Sequence, residues 1–309
     1  MFFNLILKGF IIGVSFTIPG CSGGTFAVYV GVYDKLLHAL GNIFKEFKKS
    51  MTFLIPIGIG LAAGIVVFSK LMALALAANS FITIMVFIGL TIGGVPNIAK
   101  NIKGKPVTTS GVLSFLFAFA IIAIMIVFQV RSGSTGVGYL TLDVMTIALL
   151  FALGFVAAIT MIIPGVSGSA LLLILGYYTA IVSNVVGNLL DFSAFWYNVS
   201  VLIPFGIGAV VGVISVSKLL ESVLRKYPVQ SYMAIIGFII ASAVILLLWI
   251  RDPATSTEYL EQTPIYQNLG IYLSTHLWTV IIGLFGLAAG ILGSLQIVKF
   301  GSRPNHAER

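Results

Sequence analysis

Two segments of this chain set hydroxyl side chains beside helix-breaking residues, inside otherwise apolar sequence. The first reads P-G-C-S-G-G-T at 19–25, and the second reads P-G-V-S-G-S-A at 164–170, 145 positions later. Pro19 and Pro164 end a helix on their N-terminal side and suit the first turn of the next. Gly20, Gly23, Gly24, Gly165 and Gly168 permit a tight reversal and let a ligand approach the backbone. Ser22, Thr25, Ser167 and Ser169 supply hydrogen-bond donors without charge. A helix starting near Ser22 or Ser167 leaves its first N–H groups unpaired, and its positive dipole end favours an anion. The chemistry expected is the binding of a phosphate or carboxylate. Close helix contact through small residues is the competing explanation, and it is stronger for a single copy than for a matched pair.

Charged residues within the apolar sequence are scarce, so each is a candidate for function. Asp34, Lys35 and His38 follow the first motif, whereas the second has Thr179, Ala180 and Ser183 at the matching places. Charged chemistry there is one-sided: the three residues either partner an anion or coupling ion, or snorkel to water. Lys70 and Lys218 occupy matched places near helix ends, where they serve as interfacial anchors or as cationic partners. The spacings Gly60/Gly64 and Gly208/Gly212 read as plain helix packing. The single cysteine, Cys21, excludes an internal disulfide and a cysteine-based metal site; Val166 fills its place in the second copy. No metal or cofactor is expected.

Composition dictates what must position these residues. Of 309 residues, 59% are hydrophobic and only 8% charged, against about 25% charged in soluble domains. Apolar runs recur at 51–69, 81–99, 111–130, 144–178, 199–217, 231–250 and 277–298, each near or above the roughly 18–20 residues of a spanning helix. The alternation of barrel strands is missing. The net charge of +8 lies in short loops beside the spans, as in cytoplasmic loops, and implies no nucleic-acid partner. The run ending Ile18-Pro19-Gly20-Cys21 resembles a lipoprotein signal, but Lys8 in its middle argues against cleavage.

The motif pair belongs to a duplication. L-I-P-I-G-I-G at 54–60 matches L-I-P-F-G-I-G at 202–208, and S-K-L at 69–71 matches S-K-L at 217–219, both at offset 148. Lys45, Lys48 and Lys49 mark the loop at 41–52 as cytoplasmic, whereas the equivalent loop at 187–200 carries Asp191 and no Lys or Arg. The halves are therefore expected to be inverted. The reading is an all-α polytopic membrane protein with two repeats, 1–132 and 133–309. Each has a membrane-embedded hairpin (1–50 and 133–198) broken at the P-G-x-S-G motif, followed by three spans. Re-entrant and fully spanning hairpins both satisfy this parity. The spans are expected near 52–78, 81–99 and 111–130, then 199–221, 231–250 and 276–298, with both termini cytoplasmic. Broken helices in inverted repeats place substrate sites near the midplane.

With these motifs, and with G-V-Y-D-K-L at 31–36 and G-Y-Y at 176–178, the chain resembles a bacterial membrane family of polyprenyl-phosphate (undecaprenyl-phosphate) translocases, over nearly its whole length. The resemblance implies a cytoplasmic-membrane transporter that flips the lipid carrier inward for reuse in cell-wall glycan synthesis. It implies that Pro19, Gly20, Ser22, Gly23, Gly24, Thr25, Pro164, Gly165, Ser167, Gly168 and Ser169 bind the phosphate. Ala170 stands where the first copy has Thr25, so the two copies are not equivalent. The expected partners are the lipid phosphate and bilayer lipids; nothing in the sequence signals an oligomeric state. Either a coupling proton or sodium ion is expected to move with the lipid, or the lipid's consumption inside is expected to pull the flux. A small soluble anion is the alternative cargo. A lipid-pyrophosphate phosphatase is a further alternative, but bond cleavage needs concentrated charge or an activated nucleophile, and no glutamate is expected inside a span. The chain is not expected to be an enzyme.

Overall fold

Inside a bilayer, a separate apolar segment satisfies its backbone only by closing its own hydrogen bonds as a helix. The computed structural model describes residues 2–18, 22–132, 140–166, 171–172, 175–177, 180–181, 185, 192–248, 250–252, 255 and 263–302. Among them, regular structure is helical apart from one isolated bridge between Arg251 and Pro264. The first half contains α1 (Phe2–Thr17), α2 (Gly23–Tyr29), α3 (Tyr33–Gly41), α4 (Phe47–Ala78), α5 (Ser80–Gly93), α6 (Val95–Ala99) and α7 (Thr109–Ser132). The second contains α8 (Val144–Ile162), α9 (Phe195–Lys226), α10 (Pro228–Leu248), α11 (Leu269–Thr275) and α12 (Leu277–Gly301).

Six helical stretches among the described residues are long and apolar enough to cross a membrane: α4, Ser80–Ile102, α8, α9, α10 and α12. The chain is a multi-pass membrane protein. α1 has 16 residues, about 24 Å at ~1.5 Å per residue, against a hydrocarbon core of roughly 30 Å.

One expected span differs. The run at 81–99 is divided, because α5 stops at Gly93 and α6 begins at Val95 with Pro96 in its first turn. Proline brings no N–H to continue the ladder. Tyr29 fills the break: a Cβ on Gly94 would lie 2.3 Å from its ring, and its hydroxyl donates to the Thr91 carbonyl.

Glycines set the helix pairing. A Cβ on Gly60 would lie 2.0 Å from the Ile6 carbonyl oxygen, and one on Gly64 2.3 Å from that of Phe10. In the second half a Cβ on Gly208 would lie 2.0 Å from the Phe151 oxygen, and one on Gly212 2.6 Å from that of Phe155. No side chain fits at such approaches, which are those of small-residue membrane contacts. Since the contacts advance together, α1 runs parallel to α4, and α8 runs parallel to α9. Ile6 and Phe151 stand 145 apart and Gly60 and Gly208 stand 148 apart, the two offsets of the sequence repeat. The remaining long helices pair across the halves, α5 with α12 through Gly89 and Gly290, and α7 with α10 through Gly237.

Because α1 and α4 are parallel, the chain must reverse between them. α2 and α3 make that reversal, and they are the centre of the core. Phe26, Tyr29, Val30 and Leu37 are all but inaccessible and anchor the largest apolar cluster.

Candidate functional site

α1 ends at Thr17, and Ser22 caps α2 with extended backbone (φ −113°, ψ 135°). Its hydroxyl accepts from Gly24 N at 3.3 Å, while its carbonyl accepts from Thr25 N at 3.0 Å and Phe26 N at 3.4 Å. The expectation of unpaired N–H groups is corrected at three positions: Gly24 N is capped by the Ser22 hydroxyl, and Thr25 N and Phe26 N bond the Ser22 carbonyl. Ser22 and Thr25 are buried, as are Gly23, packed on the Phe16 ring, and Gly24. Pro19 and Gly20 lie outside the described residues.

The second motif begins where α8 stops. Ile163 leaves the helix with φ −70° and ψ 120°, and Pro164 follows. Gly165 has φ +84°, and a Cβ there would lie 2.6 Å from the backbone of Phe238 on α10. Only glycine meets both conditions. Ser167, Gly168 and Ser169 lie outside the described residues.

The two motifs touch. Ser22 Oγ donates to the Ile163 carbonyl at 3.3 Å, and Tyr33 Oη donates to the Ile162 carbonyl at 3.2 Å. A Cβ on Gly24 would lie 2.8 Å from the Ile162 oxygen and 3.1 Å from Pro164 N. The first hairpin thus seals the broken C-terminus of α8, whose last carbonyls need donors.

A cavity of about 620 Å³ opens along α3, the start of α4, and the ends of α9 and α10 that face them. Asp34, Lys35 and His38 all line it. Joining them are residues that the sequence reading did not name as site candidates: Glu46, Lys49, Glu221, Arg225 and Tyr232. His38 Nδ1 lies 2.8 Å from Glu221 Oε1, and His38 Nε2 lies 3.7 Å from Glu46 Oε1. Asn42 Nδ2 donates to Glu221 Oε2 at 3.4 Å and to the His38 carbonyl at 3.1 Å. Lys49 Nζ donates to Glu46 Oε2 at 2.8 Å, which holds the Glu46 carboxyl below the usual carboxylate range. Apolar Leu37, Phe53 and Leu224 complete the wall.

Glu221 also corrects the expectation that no glutamate lies inside a span. It sits within α9, five residues before its end, with a side chain only 18% exposed. Its position continues the repeated S-K-L as S-K-L-L-E, and the first half has Ala73 there. Lys8 is a second such residue: it is buried in α1, and its ammonium donates to the Gly301 carbonyl at 3.4 Å. That carbonyl is at the C-terminal end of α12, where a cation is favoured. Lys70 and Lys218 are exposed on α4 and α9 and are not part of the cavity wall.

Residues 12–262 match the sequence profile of a family described as undecaprenyl phosphate translocase-like. The chain is 35% identical over 243 residues to a polyprenyl-phosphate transporter of Staphylococcus aureus, covering 77% of this chain and 83% of that protein. It is 30% identical over 240 residues to a polyprenyl-phosphate transporter of Vibrio cholerae, covering 73% and 71%. No solved structure matches the chain significantly.

Proposed function

We propose that this chain, which belongs to the undecaprenyl phosphate translocase-like family, flips a polyprenyl phosphate across the bacterial cytoplasmic membrane. The lipid moves from the outer to the inner leaflet, for reuse in cell-wall glycan synthesis. The protein acts as a carrier rather than an enzyme, because the paired motifs offer hydroxyls and backbone amides but no nucleophile with a base.

The observation that carries this reading is the meeting of Ser22 and Gly24 with Ile163 and Pro164. The described residues of the two motifs, one from each half, meet directly, and the 3.3 Å hydrogen bonds there are long, weak ones. A phosphate headgroup replaces the Ser22–Ile163 contact as the motifs part, gaining the Ser22 hydroxyl and the amides that it caps; Ser167 and Ser169 are the hydroxyls that the second motif contributes by sequence. The conformation described is one with the motifs closed. The cavity on the side of Lys45, Lys48 and Lys49 is the headgroup's route to the cytoplasm.

The halves are inverted, each with a re-entrant hairpin, and both termini are cytoplasmic. The parallel pairings α1 with α4, α8 with α9, α5 with α12 (Gly89 against Leu287, Gly93 against Ile291) and α7 with α10 (Gly111 against Val229, Phe115 against Gly237) support this, because inverted halves with returning hairpins require all four directions. The length of α1 supports a hairpin that turns within the membrane.

Moving the anion inward against an inside-negative potential costs roughly 2.3 kcal/mol per charge per 100 mV. A proton or sodium ion moving with the lipid offsets that cost. The test is purified protein in liposomes offered three cargoes separately: undecaprenyl phosphate, a soluble phosphate or carboxylate, and undecaprenyl pyrophosphate. The reading requires leaflet exchange of the first. Uptake of the soluble anion alone, or release of phosphate from the pyrophosphate, overturns it.

A further inference from the structure

His38 stands between two carboxylates from different parts of the fold. Its Nδ1 faces Glu221 of α9 at 2.8 Å, and its Nε2 faces Glu46, at the head of α4, at 3.7 Å. A neutral imidazole has one N–H and one lone pair. If the N–H serves Glu221, the lone pair is turned toward the Glu46 carboxylate, which is repulsive. One more proton makes both contacts attractive, the 2.8 Å one to Glu221 as a charge-assisted hydrogen bond and the 3.7 Å one to Glu46 as an ion pair. The arrangement therefore has a place for one proton beyond those of a neutral histidine and two carboxylates.

The groups around it favour a proton over a metal cation. Glu221 Oε1 and Oε2 face the nitrogens of His38 and Asn42, so a hard cation, which takes roughly six or more oxygen ligands, would compete with donors already at both oxygens. Glu46 is shared with Lys49. Lys35 and Arg225 add positive charge to the wall, Asp34 from α3 adds negative charge within reach of Glu221, and Tyr232 faces them from α10.

α3 joins this array to the motif pair. Tyr33 at its start donates to Ile162 beside the second motif, and His38, one turn and a half later, holds Glu221. Whatever fastens or frees α3 at His38 acts on the layer where the two halves meet. The opposite half cannot do this, because Ser183 and Ala73 occupy the positions matching His38 and Glu221.

We propose that Glu46, His38 and Glu221 form a proton-binding site whose occupancy ties α3 of the first half to α9 of the second. A hydronium ion in the cavity water gives its proton to the imidazole: one O–H bond breaks, one N–H bond forms, and a neutral water is left beside the imidazolium. The site stands on its own geometry; its use as the coupling step rests on the transporter reading.

The test has two arms. In the first, protein carrying His276→Gln and His306→Gln, which leave His38 as the only histidine, is placed in lipid nanodiscs. Nitrogen NMR then follows both ring nitrogens of His38 against pH. Glu221→Gln keeps the side-chain shape and removes the anion at 2.8 Å, and is expected to weaken proton binding about tenfold or more; Glu46→Gln weakens it less. Proton binding as strong in Glu221→Gln as in the parent overturns the site. In the second arm, undecaprenyl phosphate transport is followed against pH on the cavity side. The site predicts a steep dependence that flattens in His38→Gln, and an unchanged profile in that variant overturns the coupling role. If the parent moves no lipid phosphate, the transporter reading falls, and the NMR comparison still decides the proton site.

Discussion

Ser22 and Ile163 are 141 residues apart, and a hydrogen bond of 3.3 Å from hydroxyl to carbonyl joins them. Through it, the break after α1 supports the break after α8. The first motif caps its own helix with Ser22, whereas the carbonyls that end α8 take donors from the first half, Ile163 from Ser22 beside its local donor Val166 N, and Ile162 from Tyr33.

Replacing Ser22 by alanine removes both the cap and the link to Ile163. The expected loss of stability is about 1 kcal/mol, as for other N-cap serines, read as a lower thermal midpoint in detergent. Ser22→Thr, which keeps a hydroxyl, is expected to recover most of it.

The helix pairs give a test with internal controls. Gly60→Ala and Gly208→Ala push a methyl against the carbonyls of Ile6 and Phe151, and each is expected to cost about 1–3 kcal/mol through overpacking. Gly58→Ala and Gly206→Ala face open space, with nothing within 4 Å. They are expected to be neutral, or stabilising by up to about 1 kcal/mol through helix propensity. Thermal unfolding of the four variants separates the pairs.

These contrasts also mark what the sequence made legible. The G-x-x-x-G spacings read as packing glycines, and the close approaches at Gly60 and Gly208 are that packing. The apolar runs located the long helices, since length and composition alone decide them. Pro96, which divides the run at 81–99, stood inside the expected span, but the Tyr29 ring that fills the break at Gly94 comes from 65 residues earlier in the chain. Glu221 was passed over because it lies at the last residue of an expected span and has no charged counterpart at Ala73. Of the free amides expected at the first motif, those of Gly24, Thr25 and Phe26 are bonded to Ser22, because a serine that can serve a ligand can equally serve its own helix. Pro19, Gly20, Ser167, Gly168 and Ser169, which the resemblance assigns to the phosphate, lie outside the described residues.

Tyr29→Phe tests the seal between α2 and α5. It keeps the ring beside Gly94 but leaves the buried Thr91 carbonyl without that donor, at an expected cost of about 1–3 kcal/mol. A thermal midpoint equal to that of the unmodified protein would show the bond to be dispensable.

Asp143, outside the membrane spans, caps α8 by accepting from Thr146 N at 2.6 Å. That backbone hydrogen bond holds its carboxyl below the usual range. The folded form thus binds its proton less readily than the unfolded chain, so the stabilisation is fully present above about pH 4, the ordinary aspartate value. It is lost as the pH falls through the lower folded value. Thermal unfolding between pH 6 and pH 2 is expected to show this acid loss in the natural protein and not in Asp143→Asn, which caps without a charge.

The central claim is that the two motifs jointly hold a lipid phosphate as it crosses. The most direct measurement is leaflet-resolved transport of undecaprenyl phosphate by purified protein in liposomes, comparing the unmodified chain with the Ser22→Ala/Ser167→Ala double variant at equal folded amounts. The account predicts transport by the unmodified chain and a loss of tenfold or more in the double variant. Transport by the double variant at the unmodified rate would contradict it.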